Sequence, residues 1–179
     1  MSWRWTVIAV IVALAGTPAW ASTFTLETSA FLNDGLLPKT DAAAPCGGRN
    51  LSPPLHFVGY PAATRSFGIV VMDTDAGHGH GFVHWVAYGI APGQNGELLP
   101  GFGSVASPAF TGGANDAGTH LYYGPCPPVG DPPHHYVFTA YALDLAPGRL
   151  APGLTRAALV RAIAAHTLAQ AQITGTYYR

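Results

Sequence analysis

Three adjoining stretches decide the reading of this chain: SFGIVVM (66–72), DTDAGHGHG (73–81) and FVHWVAYGI (82–90). The first is a continuous run rich in β-branched residues, which fits a strand covered on both faces. The third is a second strand of the same character. The middle stretch is made of Asp, Gly and His, the chemistry of a tight connection. Both apolar stretches are thus read as strands. Their polar residues, Asp73 and His84, then stand near a strand end. Strict alternation along the second strand predicts that His84 faces away from Trp85.

The same grammar extends outward. YVFTAYAL (136–143) reads as a third strong strand and TFTLETSAF (23–31) as a first one, with Phe24, Leu26, Thr28 and Ala30 on one side. Residues 33–54 and 91–120 read as Gly- and Pro-rich connections. One helix is predicted after Thr155 as N-cap, with Val160, Ile163, Ala164, Thr167, Leu168 and Ala171 at helical spacing and Gly175 as its stop. The chain is therefore expected to be mainly β, a sandwich with a helix near its C-terminus, because strongly paired strands lie far apart in sequence.

The N-terminus is read separately. Arg4, the apolar run Thr6–Gly16, Pro18 and the small-x-small site Ala19-Trp20-Ala21 follow the order of a secretory signal peptide. The apolar run is shorter than the roughly 20 residues needed to cross a bilayer. Residues 1–21 are expected to be removed, leaving one domain over 22–179 in a periplasmic or secreted setting with no integral membrane segment; the alternative is an uncleaved N-terminal membrane anchor. Only 9% of the chain is charged and the formal net charge is −1, with no basic tract, so nucleic acid is excluded as a partner. Cys46 and Cys126 would meet an oxidising compartment after export and are candidates for a disulfide, the alternative being two separate buried thiols.

Three polar clusters stand at strand ends. Asp73 and Asp75 read either as turn-forming carboxylates or, for Asp73, as a charged group at a strand mouth. His84, beside Trp85, reads as a structural histidine or a ligand contact. The loop Gly124-Pro-Cys-Pro-Pro-Val-Gly130 leads to His134-His135-Tyr136, and a rigid loop is a sound way to preorganise donors for an oxyanion. His78 and His80 alternate with glycine but lack a four-ligand set, so no designed metal site and no cofactor are expected.

Together, Asn50-Leu51-Ser52-Pro53-Pro54-Leu55, Met72-Asp-Thr-Asp-Ala-Gly77, Val83–Ile90, Asn115-Asp116 and Tyr122–Phe138 resemble, in order and spacing, the phosphatidylethanolamine-binding protein family and its bacterial, Raf-kinase-inhibitor-like branch. The resemblance spans residues 24–178. It implies a large central antiparallel sheet, a smaller flanking sheet and a helix near the C-terminus. It also implies a pocket for phosphate-like anions walled by Asp73, His84, His134 and Tyr136, with Gly124 and Pro125 on the rim. Trp85 would pack beside the pocket histidine, and Asn50, Ser52 and Pro53 would prop the site. The chain departs from the family in two places. Family members commonly show Asp-Pro-Asp-Ala-Pro where this chain has Asp73-Thr-Asp-Ala-Gly77, which predicts a looser loop or another device to hold it. They commonly show His-Arg-Tyr where this chain has His134-His135-Tyr136, so a carboxylate partner would hold His135 firmly only below neutral pH.

The function these features imply is non-enzymatic binding of a small anion or a phospholipid head group, with a modulatory role and a possible protein partner. A hydrolase using the same pocket is one alternative, weakened by the lack of a G-x-S-x-G elbow or an HExxH motif. A secreted interaction or inhibitor module is the other.

Overall fold

The computed structural model describes residues 23–93 and 96–179. The proposed signal peptide and its cleavage site lie outside the described residues. Among the described residues, nine strands form two sheets, and one α-helix packs against the larger. β1 (Thr25–Glu27), β3 (Leu55–Val58) and β6 (Glu97–Leu98) make a small antiparallel sheet. β2 (Gly35–Leu36), β9 (Thr167–Tyr177), β8 (His134–Leu143), β4 (Ser66–Asp73), β5 (Phe82–Ile90) and β7 (Thr111–Gly112) follow one another across the large one. All its pairings are antiparallel except β2 with β9. The expected two-sheet, mainly β architecture is the observed one.

The central strand β4 is buried along almost its whole length because both faces are covered. Phe67, Ile69 and Val71 face the small sheet and pack with Phe24, Leu26, Leu55 and Phe57. Phe57 stacks on Phe67 with ring centroids 4.0 Å apart. Val70 faces the other way, into a cluster with Val86, Tyr88 and Leu143 closed by Leu159 and Ile163 of the helix α1 (Arg156–Ile163). Full burial of such side chains stabilises by about 1.5–3 kcal/mol each, and the alternation of the two clusters along β4 holds its register.

The helix is shorter than the sequence predicts. Thr155 caps it as expected, its hydroxyl receiving the Ala158 N–H, but it ends at Ile163, and Val160 lies on its exposed side. The segment assigned to its second half is β9, the longest strand, fully paired with β8. Leu168 and Ala171 happen to sit at helical spacing, but Ala171, Ile173, Gly175 and Tyr177 alternate as a strand and bury one face. Other differences are smaller. β1 is only Thr25–Glu27, and the long connections carry the short strands β2, β6 and β7.

Candidate functional site

At one end of the large sheet, Asp73 closes β4 opposite Phe82 on one side and Tyr136 on the other. His84 comes next along β5. Val71 pairs with Trp85, while Met72 pairs with Val83, so the register shifts by one residue between them. His84 is the extra residue, a β-bulge. Bulges locally re-aim side chains. This one brings His84 round to the face shared by Phe82 and Tyr136, with ring centroids 4.8 Å and 5.1 Å away. Trp85, paired with Val71, occupies that same core face. The expectation that His84 and Trp85 point to opposite faces is thus overturned, because strict alternation fails where a residue is inserted.

The resulting cavity has a volume of about 220 Å³ and is lined by Asp73, Ala76, Phe82, His84, Tyr123, Cys126 and Tyr136. Three of the four proposed wall residues meet there. The fourth, His134, sits behind Asp73. Its Nδ1 donates to Asp73 Oδ2 at 2.8 Å, and its Nε2 lies 3.6 Å from Asp131 Oδ2. Asp73 Oδ1 accepts the N–H groups of Asp75 and Ala76, each at 3.0 Å. Those bonds pin the loop that lacks prolines. Asp75 adds to them by receiving both the backbone N–H and the Nδ1 of His135 at 2.7 and 2.9 Å. These bonds hold the Asp75 carboxyl below its usual range although burial works the other way. Asp75 is therefore the carboxylate partner of His135.

His84 Nδ1 lies 2.7 Å from the carbonyl oxygen of Tyr123. A carbonyl only accepts, so Nδ1 carries the hydrogen and Nε2 is left for a ligand. Burial lowers the affinity of His84 for a second proton, outweighing the pull of the Tyr123 carbonyl and of Asp73. The neutral ring thus offers a lone pair, and it offers a donor only once protonated. The Tyr136 hydroxyl is fully buried with no well-aligned hydrogen bond. Burial and the nearby Asp73 charge keep it protonated far above neutral pH.

The remaining predicted residues form the frame. Asn50, in a left-handed conformation, receives the Gly124 N–H at 2.8 Å and donates to the Tyr122 carbonyl at 2.9 Å. Gly124 and Pro125 are buried and lie behind the cavity wall, not on its rim. A Cβ on Gly124 would run into the backbone of Asp41–Ala43, and the Pro125 carbonyl accepts the Ala43 N–H at 3.0 Å. Cys126, the next residue, reaches the cavity and is bridged to Cys46. The Ser52 hydroxyl receives the Gly103 N–H at 2.9 Å. Gly103 packs flat on the Trp85 indole, where no side chain would fit, and Pro53 is buried next to Ser52. His78 and His80 are exposed. Among the described residues, no three of His, Cys, Asp and Glu are grouped to hold a metal ion.

Phe82, Tyr123, Asp131 and Asn115 lie within the stretches quoted above, but the sequence reading assigns them no role. The Asn115 amide donates to the carbonyls of His84 and Leu121 at 3.0 and 2.8 Å, which fixes the bulged strand. The Asn115-Asp116 pair was the one available signal for it. The buried Asp41 also went unnoticed. Its carboxyl is pushed up to about 6 by burial, against the Thr40 hydroxyl that favours its charge.

Two groups near the site link stability to pH in the same sense. Burial disfavours charged His134, but the hydrogen bond and charge of Asp73, helped by Asp131 and Asp75, raise it above its ordinary value of 6.5. Asp41 is likewise raised from 3.8. Both hold their protons more tightly folded than unfolded. Their contribution is whole below the unfolded values and is lost as pH rises through the folded ones. Neutral, buried His84 works in the opposite sense, so the part due to His134 is read as a difference: at fixed ionic strength, His134→Gln should lessen the fall in melting temperature between about pH 5.5 and about pH 8, or turn it into a rise. A profile unchanged by that substitution would contradict the assignment.

Comparison with known proteins gives a consistent picture. The family model described as phosphatidylethanolamine-binding protein matches residues 27–178. A UPF0098 protein of Methanothermobacter thermautotrophicus is 36% identical over 156 residues, covering 86% of this chain and 98% of the relative. A UPF0098 protein of Archaeoglobus fulgidus is 37% identical over 172 residues; the match spans 96% of this chain but only 56% of that longer relative. A Mycobacterium tuberculosis relative that carries the name lipoprotein LppC is 40% identical over 136 residues, 74% of this chain and 62% of its own length. Among solved structures, Escherichia coli YBCL, described as a member of the mammalian PEBP family, superposes with a TM-score of 0.78 at 29% identity, covering 88% of this chain and 99% of that one. Chlamydia trachomatis CT736 superposes at 0.77 with 32% identity and the same coverage. Among the described residues no helix is long and apolar enough to cross a membrane.

Proposed function

The chain belongs to the phosphatidylethanolamine-binding protein family, and from that premise we propose that it is an exported, non-enzymatic binding protein whose cavity at the Asp73 end takes the anionic part of a small ligand, phosphate or a phospholipid head group. The observation that carries this reading is the cavity that joins Asp73, His84 and Tyr136. Tyr136 brings a buried hydroxyl that stays protonated and lacks a good partner. His84 has one nitrogen held by the protein and one left over. Asp73 would not repel the guest strongly, because both its oxygens already accept hydrogen bonds from the protein. Its part is to orient His134 and the 73–76 loop.

Ser52, in the proline-rich loop, is buried against Gly103 and is not in the cavity wall, so it offers no nucleophile to a hydrolase built on the His and Asp of the pocket. Binding, with a modulatory role toward a protein partner, is therefore preferred to turnover. A place in the cell envelope agrees with the lipoprotein name of the mycobacterial relative and with the proposed leader over residues 1–21.

A permanent dianion gains a charged donor from His84 only when the ring takes up a proton, and the free ring resists that below its ordinary value. Sulfate should therefore bind roughly tenfold more tightly, or better, at about pH 5.5 than at about pH 7.5. Calorimetric titration at the two pH values, on the native protein and on His84→Gln, tests this. The substitution should flatten the dependence. Equal affinity at both pH values, or an unaltered profile in His84→Gln, would remove His84 as an anion ligand.

A further inference from the structure

We propose that the opposite end of the large sheet carries a second anion site, built by Arg65, Arg149 and His166 and suited to a phosphate group. β4 runs from Ser66 to Asp73, so this end lies about 24 Å from the first cavity at strand spacing. A cavity of about 410 Å³ opens there, lined by Arg65, Asp144, Leu145, Ala146, Arg149 and His166. Its volume exceeds that of the first cavity and leaves room for a phosphate ester.

The charge pattern is unlike the rest of the chain. From Leu145 to Arg179 there are four arginines and no aspartate or glutamate. Among the described residues neither Arg65 nor Arg149 has an ion pair, so both guanidinium groups keep their donors for a guest. Guanidinium forks suit phosphate oxygens because two parallel N–H groups meet two acceptors. Asp144 is the one carboxylate in the wall, and one of its two oxygens is engaged. Its Oδ1 holds His166 Nδ1 at 2.8 Å. That bond fixes the ring's tautomer and leaves Nε2 toward solvent or ligand. The Asp144–His166 unit thus repeats, at the far end, the device that Asp73 and His134 form at the first.

The wall is also preorganised. The Arg65 N–H bonds the Leu143 carbonyl at 2.8 Å, and the Asp144 N–H bonds the His166 carbonyl at 3.1 Å. The Ser66 hydroxyl donates to the Leu145 carbonyl at 2.6 Å. The loop after β8 and the turn before β9 are tied together in the wall that carries the two arginines.

The test is a titration of the full chain with inorganic phosphate, followed by amide NMR, with flotation on phosphatidylcholine vesicles with and without phosphatidic acid as the second arm. Phosphate is expected to move the amides of Arg65, Asp144, Leu145 and His166 as one set. Arg65→Gln combined with Arg149→Gln should weaken that set at least tenfold, and Arg65→Lys combined with Arg149→Lys should keep part of it. Flotation that requires phosphatidic acid and both arginines would assign the phosphate to a lipid; phosphate binding without flotation would assign it to a soluble ester. An unmoved set in both arms, or a response unchanged by the double substitution, overturns the proposal. Both arginines are exposed, so the substitutions should leave the melting temperature as it is. The outcome is independent of the first cavity, whose own reporters are Ala76 and Tyr123.

Discussion

Asp73→Ala is expected to cost about 3–5 kcal/mol of folding stability, the range for removing one partner of a buried charge pair. Asp73 is almost inaccessible and accepts three hydrogen bonds, two from backbone N–H groups and one from His134. Alanine would leave all three donors without that acceptor and would strand the nearly buried His134 ring. Asp73→Asn is the informative partner variant. It keeps the shape and one acceptor but loses the charge that favours protonated His134, so an intermediate loss is expected. Urea unfolding near pH 6 measures both. The part of the pH dependence due to His134 should also shrink in either variant, leaving that of Asp41 below about pH 6 and the opposite one of His84. A loss below about 1 kcal/mol, the size of a single exposed ion pair, would mean that the carboxylate is not the hub of this end of the sheet.

Opening the Cys46–Cys126 bridge is the second large effect expected. The two cysteines are 80 residues apart in sequence, with Cα atoms 5.6 Å apart in the fold. In the chain-entropy treatment a loop of that size is worth about 4 kcal/mol. For a domain of this size, that corresponds to a drop of about 10 °C in melting temperature. Cys46→Ser with Cys126→Ser, melted beside the native protein with and without reductant, measures it. The native protein in reductant should match the double serine variant. Anion affinity should change far less than stability although Cys126 lines the cavity. The loop keeps the Gly124–Asn50 and Ala43–Pro125 hydrogen bonds and the close seat of Gly124 on Asp41–Ala43. A melting temperature insensitive to reductant would show that those contacts alone close the loop.

The two substitutions in the family pattern look different in the folded molecule. Losing prolines around Asp73–Gly77 did not leave the loop unheld, because Asp73 caps it from one side and His135 grips Asp75 from the other. The His135–Asp75 pair is half-exposed, so its worth is small, of the order of an exposed ion pair. Raised proton affinities sit on His134 and Asp41, and the sequence offered no hint of the second. Asp41 is an ordinary residue in a Gly- and Pro-rich stretch until Tyr122 and the Gly124 loop close over it.

What the sequence determined by itself is the material of the fold and most of the site's chemistry. The apolar runs at 66–72, 82–90 and 136–143 can form little but buried strands, because their β-branched and aromatic side chains need cover on both faces. The Asp, His and Gly-Pro segments read as polar clusters at strand ends, and the family resemblance implied that they meet at one end of the sheet. What only the tertiary structure decided was direction and partner. Residues 167–177 carry both a helical and an alternating pattern, and pairing along the whole of β8 selects the strand. His84 turns onto the face of Tyr136 because the register of β5 against β4 slips by one residue there. A bulge arises from how two strands meet, and neither strand's own sequence records it.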